Sequence, residues 1–180
     1  GVREGVGAGN RVSVSVGCHV STVSGAVSYD SPVLSSSATL NTPTTGMVPV
    51  TATGSHIGMA SHSQTTRIGG TSVIASLWRS DSAILCTTEP GAGASLSVAA
   101  SVGRQTGSTT SVYTYDAGAV SSGLSSNAAG TGRVSLTLAG AAMSSKDQSQ
   151  VVRLGATGCA ATRWYSDTTL VGRVGSGAGG

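Results

Sequence analysis

Short runs in which apolar residues alternate with Ser or Thr, separated by Gly- and Pro-bearing breaks, dominate this chain. Val48-Pro49-Val50-Thr51-Ala52-Thr53-Gly54 keeps a two-residue rhythm, which puts every second side chain on one face of a half-buried strand. Pro49 has no amide hydrogen to donate, so that strand is expected at a sheet edge or to begin there. The same pattern predicts an extended segment opening at 32–34 and strands over 65–68, 73–78, 83–87, from 95 to about 103, and over 111–115. Nearer the amino terminus it predicts strands over 11–17 and 25–29. A turn-rich stretch at 41–46, a loop at 55–63, a turn at 79–82 and a break at 89–93 separate them. The seven short strands between 31 and 116, punctuated in this way, predict an antiparallel sandwich. No segment carries an apolar stripe of period 3.6 over three turns, so almost no helix is expected.

The pattern also repeats at a spacing of 86 residues. Tyr29-Asp30 recurs as Tyr115-Asp116, and Arg67-Ile68-Gly69-Gly70-Thr71 as Arg153-Leu154-Gly155-Ala156-Thr157. Trp78 and Trp164, the two tryptophans, are also one period apart. Laying residues 1–94 over 87–180 without a gap gives 29 identities in 94 positions. A fixed period of this size predicts tandem structural units. The two tryptophans, at equal positions on a strand, are expected to anchor each sandwich or shield its edge.

Composition sharpens this picture. The 180 residues include 27 Gly, no Phe and, by count, 53 Ser or Thr, with only 9% charged residues. The net charge of +3 is spread along the chain without a Lys/Arg cluster or aromatic-basic interleaving, which excludes nucleic acid as the expected partner. No apolar run approaches the ~20 residues of a membrane helix. Gly1-Val2-Arg3-Glu4 is not a signal peptide, so the chain reads as a mature secreted fragment or a window of something longer. Three cysteines, Cys18, Cys86 and Cys159, leave at least one thiol free or paired between chains. A chain so rich in Ser and Thr and so poor in Glu and Lys points to an extracellular or cell-surface setting.

These residues resemble the IPT/TIG domain, an immunoglobulin-like module of cell-surface proteins and some transcription factors. The resemblance lies in Pro32 with Thr44-Thr45-Gly46, the Val48–Gly54 strand and Gly58; in Arg67–Gly70; in Ile84-Leu85-Cys86 with Pro90; and in the closing Tyr115-Asp116. It implies an all-β fold of immunoglobulin-like antiparallel β-sandwiches in tandem. It also implies a pair of cysteines at 73 and 86; here Val73 faces Cys86, and one period on Cys159 faces Gly172. Cut by the period, residues 31–116 are expected to form a complete immunoglobulin-like domain and residues 117–180 the first five strands of another. Residues 1–30 are then the last two strands of a sandwich, completing the second domain of a neighbouring molecule. A longer covalent array cut at this phase gives the same continuous string, and self-completion would require residues 1–30 to fold back across the middle domain.

Little in the sequence points to catalysis, a cofactor or a metal. Gly175-Ser176-Gly177-Ala178-Gly179-Gly180 fits G-x-G-x-x-G but opens no helix, and reads as a turn. No G-x-S-x-G elbow occurs. His56 and His62 share a loop without an acidic partner, and Asp81 and Asp167 read as turn formers. Arg67 and Arg153 are candidates for ion pairs across the sheet. The dense hydroxyl runs are candidates for O-linked glycans, at Thr42, Thr44, Thr45, Ser108, Thr109 and Thr110, because no N-x-S/T sequon occurs. The expectation is a non-enzymatic structural subunit of an extracellular fibre or surface stalk, joined head to tail to copies of itself by β-strand completion. The alternative is a binding module of an adhesin or receptor ectodomain.

Overall fold

The computed structural model describes residues 3–37, 41–124, 127 and 129–177, and among them there is no helix. Contacts divide the chain into two units: Gly1–Leu40, Met47–Glu89 and Ala94–Thr114 in the first; Asn41–Gly46, Pro90–Gly93 and Tyr115–Gly180 in the second.

The first unit opens with a hairpin, β1 (Asn10–Val16) and β2 (His19–Val27). Its sandwich follows. One sheet is ordered β3-β5-β9-β8, from Val33–Ser37, Pro49–Ser55, Ala83–Thr87 and Ala75–Ser80. The facing sheet runs β11-β10-β6-β7, from Gln105–Tyr115, Leu96–Val102, Thr65–Ile68 and Thr71–Ser72. The predicted alternation sets the core: Val50, Ala52, Ile84 and Cys86 from one sheet, and Val98, Ala100, Val102 and Tyr113 from the other, are all buried. Pro49 starts β5, where its missing amide hydrogen costs least, although β5 lies between β3 and β9 rather than at an edge. On the outer faces hydroxyls pair across strands, Ser36 with Thr53 at 2.6 Å and Ser101 with Thr106 at 2.8 Å.

Two strands are longer than the pattern predicts. β11 starts at Gln105 rather than 111, and β2 at His19 rather than 25. The reason is a bulge at equivalent points: Gly25 has φ +69° and Ser111 φ +56°, so a left-handed residue interrupts each strand and imitates a turn. The hydroxyl-rich stretch before Ser111 also lacks the large apolar residues that mark a strand.

The second unit holds the sheet β12-β13-β17-β16, from Ala119–Leu124, Ser135–Ala141, Thr169–Arg173 and Ala161–Ser166. A small hairpin, β14 (Arg153–Leu154) with β15 (Thr157–Gly158), stands apart from that sheet. The segments 41–46, including β4 (Asn41–Thr42), and 90–93 belong to this unit, tied by Asp116 N–H to Thr42 O at 2.9 Å and Gly91 N–H to Thr44 O at 3.0 Å. Its core is small: Met143, Val152 and Leu170, with Leu138, Cys159 and Trp164 packed against them.

Within the units the strand registers are related by the same offset of 86 as the sequence. Pro49 opposes Thr87 and Ser135 opposes Arg173; Ala75 opposes Thr87 and Ala161 opposes Arg173. The bulges between Trp78 and Ser80 and between Trp164 and Ser166 also correspond. Each half-buried indole donates to a carbonyl 20 residues upstream, Trp78 Nε1 to Gly58 O at 2.9 Å and Trp164 Nε1 to Ser144 O at 3.0 Å. An indole that spends its donor on a loop carbonyl fixes that loop against the sheet.

Cys86 gives the core a pH signature. Its thiol donates to Val50 O at 3.2 Å, and burial pushes its pKa from 9.0 up to about 11. The thiol of the unfolded chain ionises first, so the stability contributed is complete below pH 9 and is lost as pH rises towards 11. The expected loss is on the order of 3 kcal/mol, and Cys86→Ala should not show that part of the slope. Urea titrations of both chains between pH 8 and 11 measure it.

Candidate functional site

The hairpin β1–β2 and the hairpin β10–β11 are built alike. Asn10↔Val27, Val12↔Val23 and Val16↔His19 become Leu96↔Tyr113, Val98↔Thr109 and Val102↔Gln105 one period later, with the register shift at the same place. Their surroundings differ. In β10 the inward residues Val98, Ala100 and Val102 are at most 1% exposed, whereas Val12, Val14 and Val16 are 43%, 58% and 72% exposed. Val23, opposite Val12 and on the same face, is exposed as well. Burying a valine side chain stabilises by roughly 1.5–3 kcal/mol, so this face is a concentrated unspent driving force.

The second unit shows the complementary feature. β6 is bonded to both β7 and β10 in the first unit, but β14 has β15 as its one ladder partner among the described residues. Leu154 is 51% exposed where its counterpart Ile68 is 4% exposed. Leu136 and Leu138 are half-buried, while their counterparts Val50 and Ala52 are fully buried. The same unit has a recess of about 380 Å³, lined by Asp147, Ser149, Gln150, Val151, Cys159, Thr162 and Trp164. A free strand edge beside exposed apolar residues is a template for another strand.

The hairpin is positioned by a clasp that the sequence pattern did not reveal. Tyr29 N–H donates to Gly7 O at 3.0 Å, and its phenol donates to Arg3 O at 2.7 Å. The ring lies on Gly5, where a Cβ would come within 2.8 Å of it. Gly91 meets the Tyr115 ring in the same way at 2.6 Å, and Tyr115 N–H reaches Gly93 O at 2.8 Å. The recurrence of Tyr29 as Tyr115 was the available signal. Gln105 secures the amino-terminal segment further, accepting from Gly7 N–H at 3.1 Å and donating to Tyr29 O at 2.8 Å.

The remaining candidates fall as follows. Thr42 and Thr44 are buried, and Thr44 Oγ1 donates to Asp167 Oδ1 at 2.7 Å, so a sugar on either would have to open that packing. Thr45, Ser108 and Thr110 are exposed and Thr109 is half-buried. Asp81 Oδ1 accepts from Gly58 N–H at 2.8 Å, so each Asp of the Asp81/Asp167 pair ties its turn to a neighbouring segment. His56 Nε2 is 4.0 Å from Asp30 Oδ2, with both side chains largely exposed, and His62 Nε2 has no hydrogen-bond partner among the described residues. No ion pair engages Arg67 or Arg153, and no three His, Cys, Asp or Glu side chains cluster, among the described residues. The end of the glycine run, residues 178–180, lies outside the described residues. No helix is long and apolar enough to cross a membrane among the described residues.

Residues 32–115 match the family model of the IPT/TIG domain. This stretch of the chain is an IPT/TIG domain. Among curated proteins there is no match. Among solved structures, the chain is similar to the plexin A4 extracellular region, at 16% identity over 81% of this chain and 15% of that one, with a TM-score of 0.43. It is also similar to the I9-I11 tandem of titin, at 10% identity over 92% of this chain and 64% of that one, with a TM-score of 0.31. The chain thus spans about 15% of the length of that plexin structure.

Inside the IPT/TIG domain Cys86 has Val73 as its sequence counterpart, and the second unit inverts the pair. Cys159 Sγ lies 2.9 Å from where a Cβ on Gly172 would stand. A sulfur on that Cβ needs little movement to bond at the usual ~2.05 Å. Gly172→Cys is therefore expected to form a disulfide with Cys159 in air. A mass two hydrogens lower, restored by reductant, with a linked 159–172 peptide, is the readout; free thiols at both positions would contradict the geometry.

Proposed function

We propose that this chain is a non-enzymatic structural link of an extracellular or cell-surface protein, built from immunoglobulin-like sandwiches in tandem and joined head to tail. In this reading residues 31–116 are one whole domain, residues 117–180 the first five strands of the next, and residues 1–30 the closing hairpin of a preceding one. Assembly into a fibre or stalk follows, because a head-to-tail contact that does not close on itself extends indefinitely. The observation that carries the proposal is the exposed valine face of β1–β2, whose counterpart in β10 is fully buried. O-linked glycans are proposed on the exposed hydroxyls Thr45, Ser108 and Thr110 and on Thr109, leaving Thr42 and Thr44 to packing.

A second reading, a binding module of an adhesin or receptor ectodomain, is favoured by the IPT/TIG match itself. Sedimentation and negative-stain electron microscopy separate the two. A link forms open-ended oligomers that lengthen with concentration, and deletion of residues 1–30 abolishes them. A module that stays monomeric at every concentration, with and without those residues, belongs to the second reading.

A further inference from the structure

The first unit contains a complete ladder whose two halves also occur separately elsewhere in the chain. There β10 pairs antiparallel with β6 as Val98↔Ile68, Ala99↔Arg67, Ala100↔Thr66 and Ser101↔Thr65. One period before β10 stands β1, which pairs with β2 in the register of β10 with β11. One period after β6 stands β14, which pairs with β15 as β6 does with β7: Arg153↔Gly158 matches Arg67↔Ser72. Each half keeps its local geometry; Val12, Val14, Val16 and Leu154 are exposed where Val98, Ala100, Val102 and Ile68 are buried, while Val152, like its counterpart Thr66, is buried.

We propose that β14 receives β1 from a second copy of this chain, antiparallel, with Val12 opposite Leu154, Ser13 opposite Arg153, Val14 opposite Val152 and Ser15 opposite Val151. This rests on the head-to-tail reading and adds to it the identity of the donor strand and its register. The side chains on the shared face trade volume. Val14 replaces Ala100 and Leu138 replaces Ala52, while Gly172 stands where Cys86 fills the first unit. The occupant is a second copy because the donor hairpin is present in the same molecule, with its apolar face uncovered and its register already set. One position resists. Ser21 stands where the buried hairpin has Gly107, and a Cβ at 107 would collide with Pro32 O. The counterpart of Pro32 is Gly118, which leaves the receiving chain freer to move aside.

The register is read by disulfide trapping. Gly69 N–H bonds Ser97 O at 2.8 Å, so the neighbouring pair Val98/Ile68 falls between ladder bonds, where opposing residues come closest. The matching test pair is Val12→Cys on one chain and Leu154→Cys on another, both with Cys18→Ser to remove the exposed thiol at the hairpin turn. Mild oxidation of the mixture should give a covalent dimer joined through peptides containing 12 and 154. Ser13→Cys with Leu154→Cys should give several-fold less. Val14→Asp, at an exposed position that leaves each monomer folded, should abolish association in sedimentation, and Ser21→Gly should tighten it several-fold. Oligomers that trap through other positions, or that ignore both Val14→Asp and Ser21→Gly, overturn the register and leave the head-to-tail reading standing. A chain that is monomeric at every concentration overturns both, and assigns the open face of the second unit to a different occupant.

Discussion

A β-sandwich is stable only when each sheet's apolar face is covered by the other, and the β10–β11 hairpin provides most of that cover in the first unit. Val98, Ala100, Val102 and Tyr113 close over Val50, Ala52, Ile84 and Cys86, and all eight are buried. The second unit has the counterpart sheet in the same register, with Leu136 and Leu138 only half-buried. The residue types at inward positions remain those of a core. Their exposure reflects what faces them, not a change in their own chemistry.

Much of the fold is legible from alternation alone. Val50 and Ala52 inward, Thr51 and Thr53 outward, and Pro49 at the first residue of β5 follow from a two-residue rhythm and a missing amide hydrogen. The strand bounds that alternation misplaces are those of β2 and β11. Gly25 and Ser111 adopt left-handed geometry within a strand, and a local pattern has no means of telling a bulge from a turn when the partner strand is unknown. The repeat supplies that partner, because two segments that share a sequence phase also share a ladder.

The site is less legible than the fold, for a different reason. Hydroxyl counts make Thr42 and Thr44 look like surface, yet both are buried, because threonine's methyl and hydroxyl suit it equally to packing and to solvent. Aspartate offers a similar ambiguity: Asp167 takes its bond from Thr44, 123 residues away in sequence, a relation that no spacing rule carries. The tyrosines of the two clasps recur one period apart, but the sequence pattern gives that recurrence no purpose. Only the approach of the Tyr29 and Tyr115 rings to Gly5 and Gly91 explains why a side chain is missing at both places.

The hydroxyl pairs on the outer faces have a consequence for where such a protein can work. Ser36 with Thr53 and Ser101 with Thr106 hold neighbouring strands together with neutral groups where other sheets use lysine and glutamate. Ion pairs on a surface weaken as salt rises and change as pH crosses a carboxylate or amine. Neutral hydroxyls do neither. A surface knit in this way keeps its cross-strand bonds in brine, dilute fluid or mild acid alike, trading the adjustability of charge for indifference to its medium.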